Sequence, residues 1–507
     1  MQGVKLMNKY YTSTRNGSVQ ISAKKAIKKG FADDKGLFVY PDLEKLQVNF
    51  EKLLKLNYQD IARAVLTILL PDFSADEIDE SISAAYQDSF DTQKITPVVD
   101  VDDFHVLELF HGPTSAFKDV GLQLLPQLMK HVLTDNNKVM ILTATSGDTG
   151  KAALEGFKDL ANMGIIVFYP DGGVSKIQKL QMITTGGNNT KVAAIEGNFD
   201  DAQTNVKRIF NDADLKKSLG DDVSLSSANS INIGRLIPQV VYYFDSYKQL
   251  VNNGSIKVGE KVNFTVPTGN FGDVLAGYYA KMLGLPVNKF VVACNENNVL
   301  ANFFNHGVYD RNRPFFQTVA PSMDIQISSN FERLLYYKSG EDTEYVKQLM
   351  DDLEDSGKYE VSKEVLANIQ EDFYCGYSTD ADIESSIAEV YEENGYLMDP
   401  HTAAGYKVMR DYQKIDPDTP MILLSTASPY KFVNAVANAV LPETSDDVQQ
   451  VMKDLHEATN EPIPDNLQKV WDLPVRHESV IQKDQMTDYV KQKVEEVFYD
   501  KDQSASN

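Results

Sequence analysis

The feature that most constrains this chain is a rhythm: from Val99 onward, short apolar runs alternate with stretches of helical spacing. The runs are VLELF, VMILT (Val139 to Thr143), GIIVFYP (Gly164 to Pro170), TKVAAIEG (Thr190 to Gly197), VNFTVP, FVVACNEN (Phe290 to Asn297) and MILLST. Continuous apolar runs, rather than alternating ones, are buried on both faces, and helices between them supply the cover, so parallel sheets with helices on both sides are expected. Ligands in such folds bind where loops leave the carboxyl ends of strands. The chemistry is therefore sought in the loops.

Within ELFHGPTSAFKDVGLQLL, Lys118 stands between an aromatic and an acid after a Gly-Pro turn, at the head of a run with Val120, Leu122, Leu124 and Leu125. Its amine is expected to project, exposed, from a helix start. A lone lysine there is ordinarily a solvated one, and only context lifts it above that. In ILTATSGDTGKAAL, an apolar run passes through Ser146, Gly147, Asp148, Thr149 and Gly150 into a helix, a turn that aims backbone N–H groups and hydroxyls at one point and suits a carboxylate or phosphate. The resemblance of GDTGK to a nucleotide P-loop fails at two positions, Thr145 in place of Gly and Ala152 in place of Ser or Thr.

PTGNFGD opens another helix after a strand; Gly269 and Gly272 allow close backbone approach, so Gly269, Asn270, Phe271, Gly272 and Asp273 form a candidate phosphate cup. Asp273 has the wrong charge for it and is expected to point away, capping the helix. In SANSINIGR, Asn229 and Ser230 could be ordinary caps and Arg235 a surface residue, but amide, hydroxyl and a two-pronged guanidinium also match a phosphate monoester. His111 could line a pocket, and His401 is expected to cap a helix or pack. Arg311, Arg313 and Arg333 are expected in structural ion pairs. Seven histidines without metal-ligand spacing argue against a catalytic metal.

HGPTSAFKD, TSGDTG, SANSINIGR, PTGNFGD and STASPYKF (Ser425 to Phe432), in that order, together with STRNGSVQISAKKAIKKGFADDKGLFVYPD (Ser13 to Asp42), resemble the threonine synthase family, in its longer form. That family uses pyridoxal phosphate and belongs to the tryptophan synthase β fold group. The resemblance implies a fold-type II α/β enzyme, parallel sheets flanked by helices, with an N-terminal α+β domain and a mainly helical insertion. It implies conversion of O-phospho-L-homoserine and water to L-threonine and phosphate, with Lys118 carrying the cofactor as a Schiff base and moving protons at Cα and Cβ. By the same resemblance Gly269 to Asp273 hold the cofactor's phosphate, Thr426 meets its ring nitrogen, and Ser146, Asp148 and Thr149 hold the substrate carboxylate and the ring-oxygen side. Asn229, Ser230 and Arg235 hold the substrate's phosphate. The alternatives are a serine or threonine dehydratase or a β-replacement enzyme of the same fold group, and, less favoured, a catalytically silent binder of a phosphorylated metabolite.

With 507 residues, more than one domain is expected, because single cores stop growing near ~250 to 300 residues. The expected division is 1–99 as an N-terminal lid or packing domain, 100–297 with 396–499 as the cofactor-binding core (its smaller lobe about 135–250), 298–395 as an insertion, and 500–507 as a disordered tail. A net charge of −24 without any dense basic block argues against nucleic acid as a partner. No run reaches the ~20 apolar residues that span a bilayer, so no membrane partner is expected. Two cysteines, Cys294 and Cys375, in unrelated contexts are too few for a disulfide framework and imply a reducing compartment, the cytoplasm by default. The partner implied by the resemblance is a small phosphorylated amino acid, and a monomer or homodimer is expected.

Overall fold

The computed structural model describes residues 10–134, 136–197 and 199–500, with Asp200 described by its backbone alone. The expected disordered tail thus lies outside the described residues, Asp500 apart.

Two parallel sheets organise the described residues. The larger has six strands in the order Phe373–Tyr377, Val287–Cys294, Val262–Pro267, Met421–Ser425, Phe104–Glu108 and Val98–Val101, parallel except for the last hairpin. The smaller has five parallel strands in the order Ser479–Gln482, Thr190–Glu196, Met163–Pro170, Lys138–Ala144 and Val223–Ser227. Met163–Pro170 is buried at every position, as a doubly covered strand must be.

Five loops carry the candidate chemistry, and each follows the carboxyl end of a parallel strand. Leu109 onward follows Phe104–Glu108, Thr268 onward follows Val262–Pro267, and Thr426 follows Met421–Ser425, all in the larger sheet. Thr145 onward follows Lys138–Ala144 and Ala228 onward follows Val223–Ser227, both in the smaller.

The chain departs from the expected division in two places. The stretch 298–395 is mostly helical, but its strand Phe373–Tyr377 forms the edge of the larger sheet, so this segment completes the framework as well as decorating it. The C-terminal strand Ser479–Gln482 and helix Met486–Phe498 cover the smaller sheet, Tyr489 meeting Phe168 edge-on at 5.9 Å. Phe373–Tyr377 is short and Ser479–Gln482 is half polar, and pairing partners far away in sequence decide both.

Near the N-terminus, helix Ala23–Lys29 is capped by Ser22 and stopped by Gly30 at φ 82°, and helix Ala75–Tyr86 opens with a capping box between Ser74 and Glu77. Its last residue, Tyr86, donates from its hydroxyl to the Val120 carbonyl at 2.8 Å and braces the helix that starts at Lys118. Arg333 is fully buried but not in the expected ion pair: it donates to the carbonyls of Phe38 at 2.9 Å and Ile231 at 2.7 Å and to Asn330 Oδ1. Carbonyl acceptors let one guanidinium tie three chain segments together. No helix among the described residues is long and apolar enough to cross a membrane.

Candidate active site

The thirteen residues expected to touch cofactor or substrate line one cavity between the two sheets. Lys118 is the first residue of helix Lys118–Lys130 and, contrary to the expected exposure, is only 8% accessible. Its Nζ lies 4.3 Å from the centre of the Phe117 ring and 3.7 Å from Asp148 Oδ2. Burial lowers its pKa; Asp148 opposes this while Arg235 and Lys431 add to it, and the amine falls to about 8. The neighbouring Asp119 turns back, accepting from the Thr114 amide at 2.9 Å and hydroxyl at 2.7 Å, which fixes the turn before the helix.

Helix Asp148–Phe157 starts after Gly147 at φ 132°, a conformation only glycine adopts readily and one that leaves the cap position itself without a side chain. Thr145, absent from the expected set, accepts from the amides of Gly147 and Gly150, both at 2.9 Å. That leaves Ser146 and Thr149 facing the cavity without duties in the turn itself. Asp148, also in the lining, is held by two donors on one carboxylate oxygen. Its Oδ1 takes Lys431 Nζ at 2.9 Å and Gln178 Nε2 at 2.8 Å, and although burial opposes ionisation, Lys431 and Lys118 hold the carboxyl well below the usual carboxylate range.

In the loop after Val223–Ser227 the helix cap is Asn232, whose side chain accepts from Gly234 N at 2.9 Å, so Asn229 and Ser230 are not the caps they could have been. Asn229 bridges to the smaller sheet, donating to the Ala144 carbonyl at 2.8 Å, and Ser230 accepts from Asn330 Nδ2 at 2.9 Å. Arg235 is 5% accessible and donates to the Ala228 carbonyl at 2.9 Å and to Thr149 Oγ1 at 3.4 Å. Among the described residues no carboxylate pairs with it, and burial lowers it to about 10. A desolvated cation without an anion is costly to keep, and is what an anion-binding site looks like before its ligand arrives.

The helix Gly272–Met282 begins at the cavity with no side-chain cap. The left-handed residue of its loop is Phe271 at φ 60°, not a glycine; its ring is seated against Phe331 at 5.1 Å, and this packing holds the strained backbone. The glycines serve close approach instead. A Cβ on Gly269 would stand 2.7 Å from the Ser322 carbonyl, and one on Gly272 would stand 3.2 Å from Ser230 Cβ. Asp273 does not cap the helix: its carboxylate accepts from the hydroxyls of Tyr242 and Tyr243, and burial raises it to about 6. The tyrosine pair, unforeseen from sequence, turns the acid away from the cup.

Thr426 lies opposite, its carbonyl accepting from Phe117 N at 2.8 Å and its amide donating to Thr402 Oγ1 at 3.2 Å. His401 also lines the cavity, with Nδ1 2.8 Å from Asp399 Oδ1 and Nε2 accepting from Ser322 N at 3.1 Å; the cap of its helix is Asp399. His111 lies elsewhere, between Asp91 and Glu108. Lys431, fully buried, was carried unremarked inside STASPYKF; a lysine within the run Pro429, Tyr430, Phe432 was the available signal.

Comparison with known proteins places this arrangement. The family model for the threonine synthase N terminus matches residues 10–86, and that for the threonine synthase C-terminal region matches residues 402–492. Threonine synthase of Saccharomyces cerevisiae is 37% identical over 464 residues, covering 85% of this chain and 89% of the yeast protein. Human threonine synthase-like 1 is 40% identical over 437 residues, covering 83% of this chain; the match spans only 58% of that longer protein. A crystal structure described as PLP-bound threonine synthase from Brucella melitensis superposes with a TM-score of 0.84 at 38% identity, over 96% of this chain and 99% of that one. The fold is the fold-type II α/β architecture expected from sequence, and the chain belongs to the threonine synthase family.

Proposed function

We propose that this chain converts O-phospho-L-homoserine and water to L-threonine and phosphate, using pyridoxal phosphate. The observation that carries the reading is Arg235, a buried guanidinium with no carboxylate partner among the described residues, in the same cavity as the uncapped helix start at Gly272. Two anion sites in one cavity suit a substrate and a cofactor that each bear a phosphate. The residues fit the cofactor: the cup has no room for a Cβ at Gly269, and Ser322 Oγ is buried without a hydrogen-bond partner among the described residues. When bound, pyridoxal phosphate draws electrons from the amino acid's Cα and so eases departure of protons and of a leaving group.

In this reading the backbone N–H groups from Gly269 to Asp273 face the cofactor's phosphate, Asp273 serving through its amide while Tyr242 and Tyr243 keep its carboxylate aside. The Thr426 hydroxyl meets the ring nitrogen and, being neutral, leaves it largely unprotonated. Lys118 Nζ would hold the cofactor and is placed to move protons at the substrate's Cα and Cβ. Ser146 and Thr149 take the substrate carboxylate. Arg235, Ser230 and the second N–H of the Asn229 amide take the substrate's phosphate and stabilise it as it leaves Cγ. Asp148 orients the amine of Lys118 from 3.7 Å.

A dehydratase or β-replacement enzyme would share Lys118 and the glycine cup and have no use for Arg235 as placed here. The enzyme works in the cytoplasm as a monomer or homodimer; the Cys294 and Cys375 thiols, unbonded with sulfurs 3.8 Å apart, fit a reducing compartment. The test is the visible absorbance of the purified protein with and without O-phospho-L-homoserine, coupled to a phosphate-release assay. A yellow protein that releases phosphate and forms threonine is expected; a folded protein that takes up no cofactor, or that releases none, would overturn the proposal.

A further inference from the structure

The proposed roles give no task to a fully buried cation that stands just behind the cavity wall, against Asp148. Lys431 is 0% accessible and sits in the short turn Pro429–Phe432. Its Nζ donates to the Thr114 carbonyl at 2.8 Å, in the turn ahead of Lys118, and meets Asp148 Oδ1 at 2.9 Å. Its own carbonyl accepts from Ser175 Oγ at 3.2 Å, ahead of helix Lys176–Ile183, and Gln178 of that helix donates to the same Asp148 oxygen at 2.8 Å. One oxygen of Asp148 is therefore claimed by two donors. The other faces Lys118 from 3.7 Å, beyond hydrogen-bond reach.

We propose that Lys431 is a positioning residue for the reactive amine: by holding Asp148 on its far oxygen and adding its own charge nearby, it keeps Lys118 from becoming a tightly paired ammonium. This rests on the reading of Lys118 as the cofactor-binding lysine. The charge balance around Lys118 bears it out from every side. Lys431 and Arg235 push its proton off, Asp148 and Asp399 hold it on, and burial tips the outcome. Asp273, His401 and Asp119 stand in the same cavity wall or beside it. Asp273 is directed to two tyrosines, His401 to Asp399 and Ser322, and Asp119 to Thr114. Without Lys431, Asp148 would keep only the Gln178 amide on its far oxygen and could swing toward Lys118; the loss of one cation and the gain of one close anion both raise the amine's pKa.

The readout is Lys118 itself in cofactor-free protein: competitive acetylation by acetic anhydride across pH, with the Lys118 peptide quantified by mass spectrometry. The natural protein is expected to label with a midpoint near the amine's value of about 8. Lys431→Met should raise that midpoint by at least about one unit, so labelling at pH 7 falls ~tenfold or more. Lys431→Arg, which keeps the charge, should stay near the natural protein. In Asp148→Asn the midpoint should fall, and adding Lys431→Met to it should shift the midpoint much less than in the natural background. If Lys431→Met does not fold, Lys431→Gln retains a hydrogen-bonding group without the charge and replaces it. A folded neutral variant whose midpoint equals the natural one overturns the proposal and makes Lys431 a structural tether. A natural protein whose Lys118 labels like an ordinary lysine, and which takes up no pyridoxal phosphate, overturns the functional reading beneath it instead.

Discussion

Arg235→Ala is the sharpest test of the substrate. The guanidinium is buried and, among the described residues, pairs with no acid; it donates to the Ala228 carbonyl and Thr149 Oγ1. Its removal therefore leaves no orphaned anion in the wall, and the main loss falls on whatever anion it was kept for. A hydrogen bond to a charged group contributes about 1.5 to 3 kcal/mol, and each ~1.4 kcal/mol is tenfold in rate, so kcat/KM for O-phospho-L-homoserine should drop roughly ten- to a hundred-fold or more. The assay is phosphate release under limiting substrate. Arg235→Lys should recover part of the loss, since an ammonium cannot make the two-pronged contact. The yellow cofactor absorbance should be unchanged, because the cofactor's phosphate lies at the Gly272 helix start. The control is slow turnover of L-serine, which carries no phosphate and should change little. Parallel loss with serine and phosphohomoserine would falsify the argument and make Arg235 a scaffold of the loop.

Lys118→Ala should abolish turnover and the yellow absorbance; because the residue is buried rather than exposed, a modest fall in melting temperature is expected as well, and ordinary turnover would remove Lys118 from its role. Gly272→Val places a branched side chain against Ser230 Cβ, 3.2 Å from the first added atom, so equilibrium dialysis should show cofactor affinity falling far more than thermal stability; normal affinity with early melting would reduce the loop to a turn. Asp273, raised by burial to about 6, binds a proton in the folded protein between pH ~4 and 6 that the unfolded chain has already released. Stability must then decline as pH rises through that window, by about 3 kcal/mol for this group. Asp119, also raised to about 6, adds a similar slope, and Asp245, Asp324, Glu341 and Glu461 are raised too, so Asp273→Asn should flatten the slope by its own share alone in denaturant melts of cofactor-free protein. An unaltered slope would mean the carboxylate is compensated by its tyrosines.

The framework was readable where the physics is local. Val139 to Thr143 and Gly164 to Pro170 are continuous apolar runs, and both are strands. Val223–Ser227, with its three serines, and Ser479–Gln482 carry no such signal; each becomes a strand because an apolar neighbour offers it a ladder. The cavity was readable because its residues cluster in loops at strand ends. Hidden were the interactions between those loops. Nothing near Asp148 in sequence announces Lys431, and nothing near Asp273 announces Tyr242 and Tyr243, since each pairing joins groups that only the sheets bring together. The left-handed backbone at Phe271 has no local signal, because its support comes from Phe331, sixty residues downstream.

The five chemical loops are divided between the sheets in a way that has a mechanical reading. Lys118, the Gly269 to Asp273 cup and Thr426 all hang from the six-stranded sheet, and the Phe117 to Thr426 hydrogen bond of 2.8 Å rivets the first of these loops to the last. Ser146, Thr149, Asn229, Ser230 and Arg235 all hang from the five-stranded one. On the proposed roles the first sheet carries the grips for the cofactor and the second the grips for the substrate. Two ties cross between them: Lys431 to Asp148 at 2.9 Å, and the Asn330 amide, which donates to Ser230 Oγ at 2.9 Å and to the Asn270 carbonyl at 3.0 Å. Rebuilding the loops of the second sheet is then the route by which such a scaffold could be turned to a different amino acid while the chemistry on the first stays in place.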